Sequence, residues 1–322
     1  MHLFSIFLKS RDLTFMRLKE AVSYFGFNPR WCFGASRSAI NLRQLQQSVI
    51  TNIHLIQGRE TLSSLLNQTF SQRGVSHSVF ELFPSDPARL LDECRVGPVS
   101  PWALDLLLKE YETRNAHAAA DFCDSIAGMS HAEILRARIF ERQVLKYFDS
   151  HTDPHTFFIH APSSSAISQW IYPGSTPRVT FHSGSFTSSL ETAVKDQMPL
   201  HLVPTDPNFP AIDSILYDPT ASLTLIQVTR RSLHPVNVSG LQRLQRWLKR
   251  GTCLAALRPS VTGRHWRLIF VVPDTLACDF KMQDFEGDSV TSEWARKVDQ
   301  YVLEICEDEI WGRTTNDKER LQ

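Results

Sequence analysis

The stretch LTLIQVTRRSLHPVNVSGL, from Leu223 to Leu241, decides the fold of this chain. Its first seven residues have the aliphatic and β-branched content of a buried strand, and NVSGL begins a helix. Gln227 and Thr229 are polar among apolar neighbours in that strand. Because a buried polar group without a partner costs about 1–3 kcal/mol, both side chains are expected to bind a protein group or a metal ion.

A second apolar stretch, AIDSILYD at 211–218, lies just upstream and contains Asp213. Two-residue alternation places Asp213 and Tyr217 on the same face of this strand. A hairpin through the intervening DPTAS then pairs Tyr217 with Leu223. The same register brings Asp213 opposite Gln227. The two polar side chains are therefore predicted to meet in neighbouring central strands, since strands that are apolar on both faces lie in the middle of a sheet.

The order of the predicted elements indicates an α/β fold. A helix over HAEILRARIFERQVLKYFD precedes the strands TFFIHA and LHLVP, and a helix over NVSGLQRLQRWLKR leads to the strand WRLIFVVP. The Ser- and Pro-rich chain up to about residue 187 is predicted to be irregular, and a last helix is predicted over 292–310. Helix, strands, helix and strand are typical of a mixed central sheet flanked by helices, which we place at residues 129–322.

The chain before this domain is predicted to be mainly helical. Residues 1–72 form an N-terminal appendage with helices over about 13–25 and 38–55. Residues 73–128 connect it to the sheet through a short strand, SVFELF, and one long helix, SPWALDLLLKEYETRNAHAAADFCDSI. Ser100 caps that helix, and the proline after it suits the first helical position.

The charges are balanced overall but segregated along the chain. Lys plus Arg and Asp plus Glu both number 34, so the net charge indicates no partner. From Pro219 to Pro273, however, nine Lys and Arg residues occur without one acidic residue, and from Asp274 to Glu309 eleven acidic residues face three basic ones. A strongly positive surface beside the polar strands is therefore predicted.

The compartment is predicted from the cysteines and the N-terminus. Six scattered cysteines without a C-x-x-C pair suit a reducing compartment and argue against a zinc ribbon or a disulfide framework. The start, MHLFSIFLKS, is a poor signal peptide, and no stretch reaches the roughly 18 apolar residues of a spanning helix. We expect an intracellular protein, in the nucleus or cytoplasm, with no membrane partner.

An oxygen-rich site is predicted around Asp213 and Gln227. Glu141 lies on the apolar stripe of its helix and can point toward the sheet, or it can pair with Arg138 or Arg142 at the edge of the stripe. Carboxylate and amide oxygens are ligands that Mg²⁺ accepts, so Asp213, Gln227 and Glu141 form a candidate metal site. The alternative is that Gln227 hydrogen-bonds Asp213 as a satisfied polar pair.

Several segments around these residues resemble those of a known protein family. The helix segment IFE, the strands DSILYD and IQVT, and HPVNVSGL resemble the PD-(D/E)xK nuclease-type domain. They are similar in particular to the C-terminal domains of Crinkler-type effectors and related transposon-linked proteins of eukaryotic microbes. YFGFNPRWCFGAS resembles the end of the P-loop ATPase module that precedes that domain, but the chain contains no G-x-x-x-x-G-K-[ST], so no ATP is expected. The resemblance covers most of the chain and implies a restriction-endonuclease-like core.

The resemblance implies roles for four residues. Glu141 would match the helix carboxylate, Asp213 the first metal-binding acid, and Gln227 the position of a second Asp or Glu. Thr229 stands where that family has Lys. Gln keeps an oxygen ligand but removes one negative charge, and Thr cannot supply the cation that stabilises a phosphate in its transition state.

Three functional hypotheses are compatible with these departures. Arg230 and Arg231 stand next to Thr229 and carry the missing charge, although arginine is a poor proton acceptor. One hypothesis is a Mg²⁺-dependent nuclease-like domain acting on DNA. The other is the same fold retained as a catalytically inactive module that binds nucleic acid or a protein partner. A structural remnant of a mobile-element protein, without a ligand, is a third class.

A basic helix face gives a separate signal. Arg243, Arg246 and Arg250 recur at helical spacing, with Lys249 beside them, and such a stripe can follow phosphates. The alternative is a basic, solvated face on an ordinary surface helix. The preceding His234-Pro235 is typical of a turn, with a general base as the lesser alternative for His234.

Overall fold

The computed structural model describes residues 15–26, 28–55, 79–84, 94–114, 118–127, 132–162, 166–182, 184–205, 209–220, 222–287 and 291–312. Backbone contacts divide the chain into two compact units, Met1–Ile139 and Phe140–Gln322. Across these described stretches, no helix combines the length and the apolar character needed to cross a membrane.

The first unit is mainly helical. Its elements are α1 (Phe15–Phe25), α2 (Pro29–Ala35), α3 (Ala39–Leu55), the antiparallel pair β1 (Phe80–Pro84) and β2 (Cys94–Pro98), α4 (Pro101–Arg114) and α5 (Ala118–Ser125). The predicted helices over 13–25 and 38–55 correspond to α1 and α3. The predicted long helix is described as α4 and α5, and residues 115–117 lie outside the described residues.

Helix ends in this unit follow from local chemistry. Ser100 caps α4 as predicted, because its Oγ accepts a hydrogen bond from Ala103 N at 3.1 Å. The same Oγ donates to the Tyr24 carbonyl at 2.7 Å. Gly26 ends α1 with φ +59°, and a Cβ at that position would collide with the Val99 carbonyl oxygen.

The helix α6 (Glu133–Ser150) begins in the first unit and continues into the second. The contact boundary therefore falls inside a helix, after Ile139. The predicted boundary at residue 129 stays a prediction, because residues 128–131 lie outside the described residues.

The second unit is built around one sheet. Its further elements are β3 (His155–His160), β4 (Ile167–Tyr172), β5 (Arg178–Phe181), α7 (Phe186–Asp196), β6 (Leu200–Pro204), β7 (Ser214–Asp218), β8 (Ser222–Val228), β9 (Val236–Asn237), α8 (Val238–Leu248), β10 (Trp266–Pro273), α9 (Asp274–Ala277), β11 (Phe285–Glu286), α10 (Thr291–Trp294), β12 (Val298–Ile305) and α11 (Glu307–Ile310). The two shortest strands, β9 and β11, pair with each other.

The eight-stranded sheet has the order β4-β3-β12-β10-β8-β7-β6-β5. It is mixed: β10 is parallel to β8 and β12, whereas β7 is antiparallel to β6 and β8. This confirms the predicted α/β class with a mixed sheet and with β7 and β8 as neighbouring inner strands. The predicted register is also confirmed, since Tyr217 pairs with Leu223.

Helices cover both faces of the sheet. One core joins the odd-numbered residues of β7 and β8 to α7 and α8: Ile215, Tyr217, Leu223, Leu225, Leu190, Leu241, Leu244 and Trp247. The other core joins their even-numbered residues to α6: Leu216, Ile226, Val228, Phe140, Val144 and Phe148. Two-residue alternation along the strands produces this separation.

The predicted C-terminal helix over 292–310 is wrong. That segment contains α10, the strand β12 and α11. Within β12, Val298, Gln300 and Val302 are buried at alternating positions, and Asp299 between them is exposed. Parallel pairing with β10 and burial in the sheet stabilise the strand more than its helical spacing stabilises a helix.

The prediction of irregular chain up to about residue 187 is also wrong. This region contains β4 and β5, and α7 begins at its end. The Ser and Pro content hid a short alternation, in which Trp170 and Tyr172 are buried while Ile171 between them is exposed. Pairing of β4 with β3 adds the backbone hydrogen bonds that composition does not show.

Candidate functional site

Asp213 lies immediately before β7 and is held by β8. Its Oδ2 accepts hydrogen bonds from Gln227 Nε2 and from Val228 N, both at 2.7 Å. Its own backbone N donates to the Ile226 carbonyl at 2.9 Å. The predicted meeting of Asp213 and Gln227 is confirmed. The Gln227 side chain, in a residue only 6% exposed, thus has a protein partner in a carboxylate.

Thr229 belongs to a hydrogen-bonded turn that follows β8. Its Oγ1 accepts from Arg231 N at 3.1 Å and lies within hydrogen-bond distance, 3.2 Å, of His234 Nδ1. Burial, and then the Arg231 charge, lower the pKa of His234 from its ordinary value. The neutral imidazole is therefore favoured, and Thr229 has protein partners as the sequence required.

Two buried glutamines hold this turn in place. Gln283 Oε1 accepts from His234 N at 2.6 Å, and Gln283 Nε2 donates to the carbonyls of Ser232 and Lys281 at 3.0 and 2.6 Å. Gln283 and Gln300 also exchange two hydrogen bonds, at 2.9 and 2.8 Å. Sequence reasoning missed both residues. The two-residue alternation in VDQYV at 298–302 was the sequence signal for a strand containing Gln300, and the helix predicted there concealed it.

The two arginines that follow Thr229 lie in different environments. Arg230 Nη1 forms an ion pair with Glu307 Oε1 at 2.5 Å, and its guanidinium lies 5.3 Å from the Phe140 ring centroid. Its charge is therefore compensated within the protein. Arg231 is exposed beside the His234 turn.

Glu141 lies half-buried on α6. Its neighbours Phe140 and Val144 pack with Ile226, on the face of the sheet opposite the one toward which alternation directs Gln227. The structure thus brings Asp213 and Gln227 together and carries Glu141 on a helix of the other face. A shared site that includes Glu141 stays a prediction, and this packing does not favour it.

The donor atoms around Asp213 decide how well Mg²⁺ fits. Asp213 Oδ2 already receives two N–H donors, and Gln227 turns its nitrogen rather than its oxygen toward the carboxylate. That arrangement is a hydrogen-bonded pair, whereas a Mg²⁺ site requires oxygen atoms directed at the ion. Among the described residues, no cluster of three or more His, Cys, Asp or Glu side chains could hold a metal.

The predicted basic helix face is exposed on α8. Arg246, Lys249 and Arg250, which we call the basic surface, are exposed, and none of them forms an ion pair with a residue that the structure describes. Arg243 differs, because it is half-buried with its guanidinium 5.2 Å from the Phe209 ring centroid. Arg243 therefore anchors the helix, and the other three charges face water.

The beginning of α8 is fixed by local contacts, and the basic surface lies at its other end. Asn237 caps the helix by accepting from Ser239 N at 2.9 Å. A Cβ at Gly240 would collide with the Pro210 carbonyl oxygen, so only glycine permits this close approach. The first turn of α8 therefore lies against the segment that leads into Asp213.

His201 is a second buried polar group that sequence reasoning missed. The residue is fully buried in β6, and neither ring nitrogen has a hydrogen-bond partner in the described part of the chain. Asp149 Oδ1 is 3.9 Å from Nδ1, too far for a hydrogen bond, and Asp149 instead pairs with Arg178 at 2.6 Å. Burial lowers the pKa of His201, so the neutral ring is favoured.

The described features are a hydrogen-bonded Asp213–Gln227 pair, a turn that holds His234, and a helix whose C-terminal end carries the basic surface. Compared with models of known protein families, with curated proteins and with solved structures, the chain matches none of them.

Proposed function

We propose that this chain is a nucleic-acid-binding module on a nuclease-like α/β domain, and that the basic surface contacts the phosphate backbone. The observation that carries the proposal is the exposure of Arg246, Lys249 and Arg250 without ion-pair partners among the described residues. Phosphate binding releases counterions only where cations are accessible to the nucleic acid. The nuclear or cytoplasmic location expected from the cysteines suits this function.

The helix that presents these charges is rigidly held. Leu241, Leu244, Trp247 and Leu248 bury its apolar side in the sheet core. The acid-free run from Pro219 to Pro273 keeps carboxylates of the same segment away from the surface. A chain of zero net charge thus contains a segment of net positive charge, with Glu191 of α7 as a carboxylate beside Gly251. DNA is the nucleic acid that the resemblance favours.

Reversing two of these charges is expected to abolish most of the binding. Arg246→Glu with Arg250→Glu should weaken binding to a fluorescein-labelled DNA duplex by at least about tenfold. The slope of log K against log salt should fall by about 2, since each phosphate contact contributes roughly 0.9. Fluorescence anisotropy at several salt concentrations measures both quantities.

The matched control is Lys281→Glu with Arg296→Glu, which makes the same charge change at two exposed positions of the acid-rich segment. This control should bind DNA nearly as the wild type does, with an unchanged salt slope. Equal loss in both variants would show that only net charge matters. Absence of wild-type binding to DNA and to RNA would leave an acidic protein as the partner of the basic surface.

We propose Mg²⁺-dependent cleavage as the second candidate function. It is supported by Asp213, immediately before β7, facing residue 227 of β8, the two positions at which the resemblance implies metal-binding acids. The Gln at 227 and the Thr at 229 are the departures that weaken it. Restoring Glu and Lys at these two positions tests whether the rest of the site remains competent.

Gln227→Glu with Thr229→Lys is expected to bind Mg²⁺ more tightly than the wild type, because it adds a carboxylate ligand. Isothermal calorimetry with Mg²⁺ measures the binding, and nicking of a supercoiled plasmid reports cleavage. Adding Asp213→Ala to the double variant should remove both signals. Neither heat nor nicking in the folded double variant would refute the nuclease hypothesis and leave the binding proposal intact.

A further inference from the structure

The edge strand β4 carries no charge. Between Asp153 and Arg178 the sequence contains no Asp, Glu, Lys or Arg, so the whole β3–β4 hairpin is formally neutral. Exposed edges in natural sheets usually carry charges or prolines that prevent pairing with another chain. The opposite edge, β5, has such a charge in Arg178, which binds Asp149. Of the two edge strands of the eight-stranded sheet, β4 is therefore the one without a charge, and no further described strand pairs with it.

One face of this hairpin is apolar and exposed. In β4, Ile167 is 72% exposed and Ile171 is 53% exposed, while Trp170 between them is buried against the α6 core. In β3, Phe158 is 64% exposed and pairs with Gln169 of β4. We call Phe158, Ile167, Gln169 and Ile171 the hairpin face. It extends directly to the open edge.

We propose that β4 pairs with β4 of a second copy of this chain, antiparallel about a twofold axis beside Gln169. In that register Ile167 lies opposite Ile171 of the second copy, and Gln169 lies opposite its own equivalent. Residues directly opposite in an antiparallel pair share a face, so the two hairpin faces join into one apolar surface. The two sheets become continuous through the β4 backbone groups that face away from β3.

A second copy fits this edge better than a charged peptide does. A neutral strand gives no electrostatic advantage to an acidic or a basic segment, whereas its own sequence places isoleucine against isoleucine. The β4 strand is self-complementary about Gln169, because Ile167 and Ile171 are equally distant from it. Such an isologous contact closes after two copies, whereas pairing of β4 with β5 would generate an open filament.

Sedimentation velocity over a wide range of protein concentration tests association. The wild-type mass is expected to rise from 36.7 kDa toward twice that value. Ile171→Lys places a charge on the edge at an exposed position, so the variant should fold and remain monomeric. Ile167→Lys provides a second variant with the same expected result, and circular dichroism confirms that each is folded.

Disulfide cross-linking tests the register. A cysteine at Gln169 would lie opposite its equivalent, at the Cα separation of about 4.5–5.5 Å that a disulfide spans. Gln169→Cys should therefore form a cross-linked dimer under mild oxidation. Ile171→Cys is the matched control, because its equivalent would lie about 13 Å away along the strand. Wild-type protein treated identically accounts for the native cysteines.

Three results would overturn the proposal. The first is a wild-type chain that stays at 36.7 kDa at every concentration. The second is association of the folded Ile171→Lys and Ile167→Lys variants to the same extent as the wild type. The third is equal cross-linking at positions 169 and 171. None of these results bears on DNA binding by the basic surface, so the two proposals fail separately.

Discussion

Replacing Asp213 by alanine is expected to lower the free energy of unfolding by about 3–5 kcal/mol. The carboxylate accepts from Gln227 Nε2 and Val228 N, and both residues are buried. Alanine leaves two donors without an acceptor, and each such buried donor costs roughly 1–3 kcal/mol. Equilibrium urea denaturation measures the loss, with an unchanged m-value showing that the native fold is retained.

Asp213→Asn is the matched control for this prediction. Its side-chain oxygen can still accept from Val228 N, so we expect a loss of about 1–2 kcal/mol, clearly smaller than that of alanine. A change below about 1 kcal/mol in Asp213→Ala would contradict a structural role for the carboxylate. Adding Mg²⁺ separates the two roles, because a metal ligand at this position would make the wild type, but not the alanine variant, more stable.

Replacing Trp247 by alanine is expected to lower the free energy of unfolding by about 3–5 kcal/mol. The indole of α8 lies among three aromatic rings, with centroid distances of 5.9, 5.2 and 5.5 Å to Phe181, Phe186 and Phe209. These rings belong to β5, to α7 and to the segment before β7. Truncation therefore leaves a cavity where three parts of the core meet.

Trp247→Phe keeps an aromatic ring at this position and should cost roughly half as much as alanine. Because Trp247 anchors the helix that presents the basic surface, the alanine variant should also bind DNA more weakly than the phenylalanine variant. Thermal and urea denaturation, with anisotropy below the transition, measure both effects. A stability of Trp247→Ala within about 1 kcal/mol of the wild type would contradict this anchoring role.

The sequence by itself determined the features that depend on near neighbours. The register of β7 and β8 followed from alternation and a short turn, because Tyr217 and Leu223 are joined by only a few residues. That register was sufficient to predict the meeting of Asp213 and Gln227. The cap at Ser100 and the exposed charges of α8 could likewise be predicted from the sequence, because each depends only on residues within about one helical turn.

Only the tertiary structure decided the features that depend on distant pairing. The segment of β12 carries helical spacing, and pairing with β10 makes it a strand. His234 N donates to Gln283, which is brought to the turn by its hydrogen bonds with Gln300 of β12 and not by any local pattern. The face on which α6 lies, and with it the side occupied by Glu141, also came from packing. In each case the stabilising free energy comes from backbone pairing and burial between residues far apart in the chain. Local propensity does not include these long-range contributions and therefore cannot predict them.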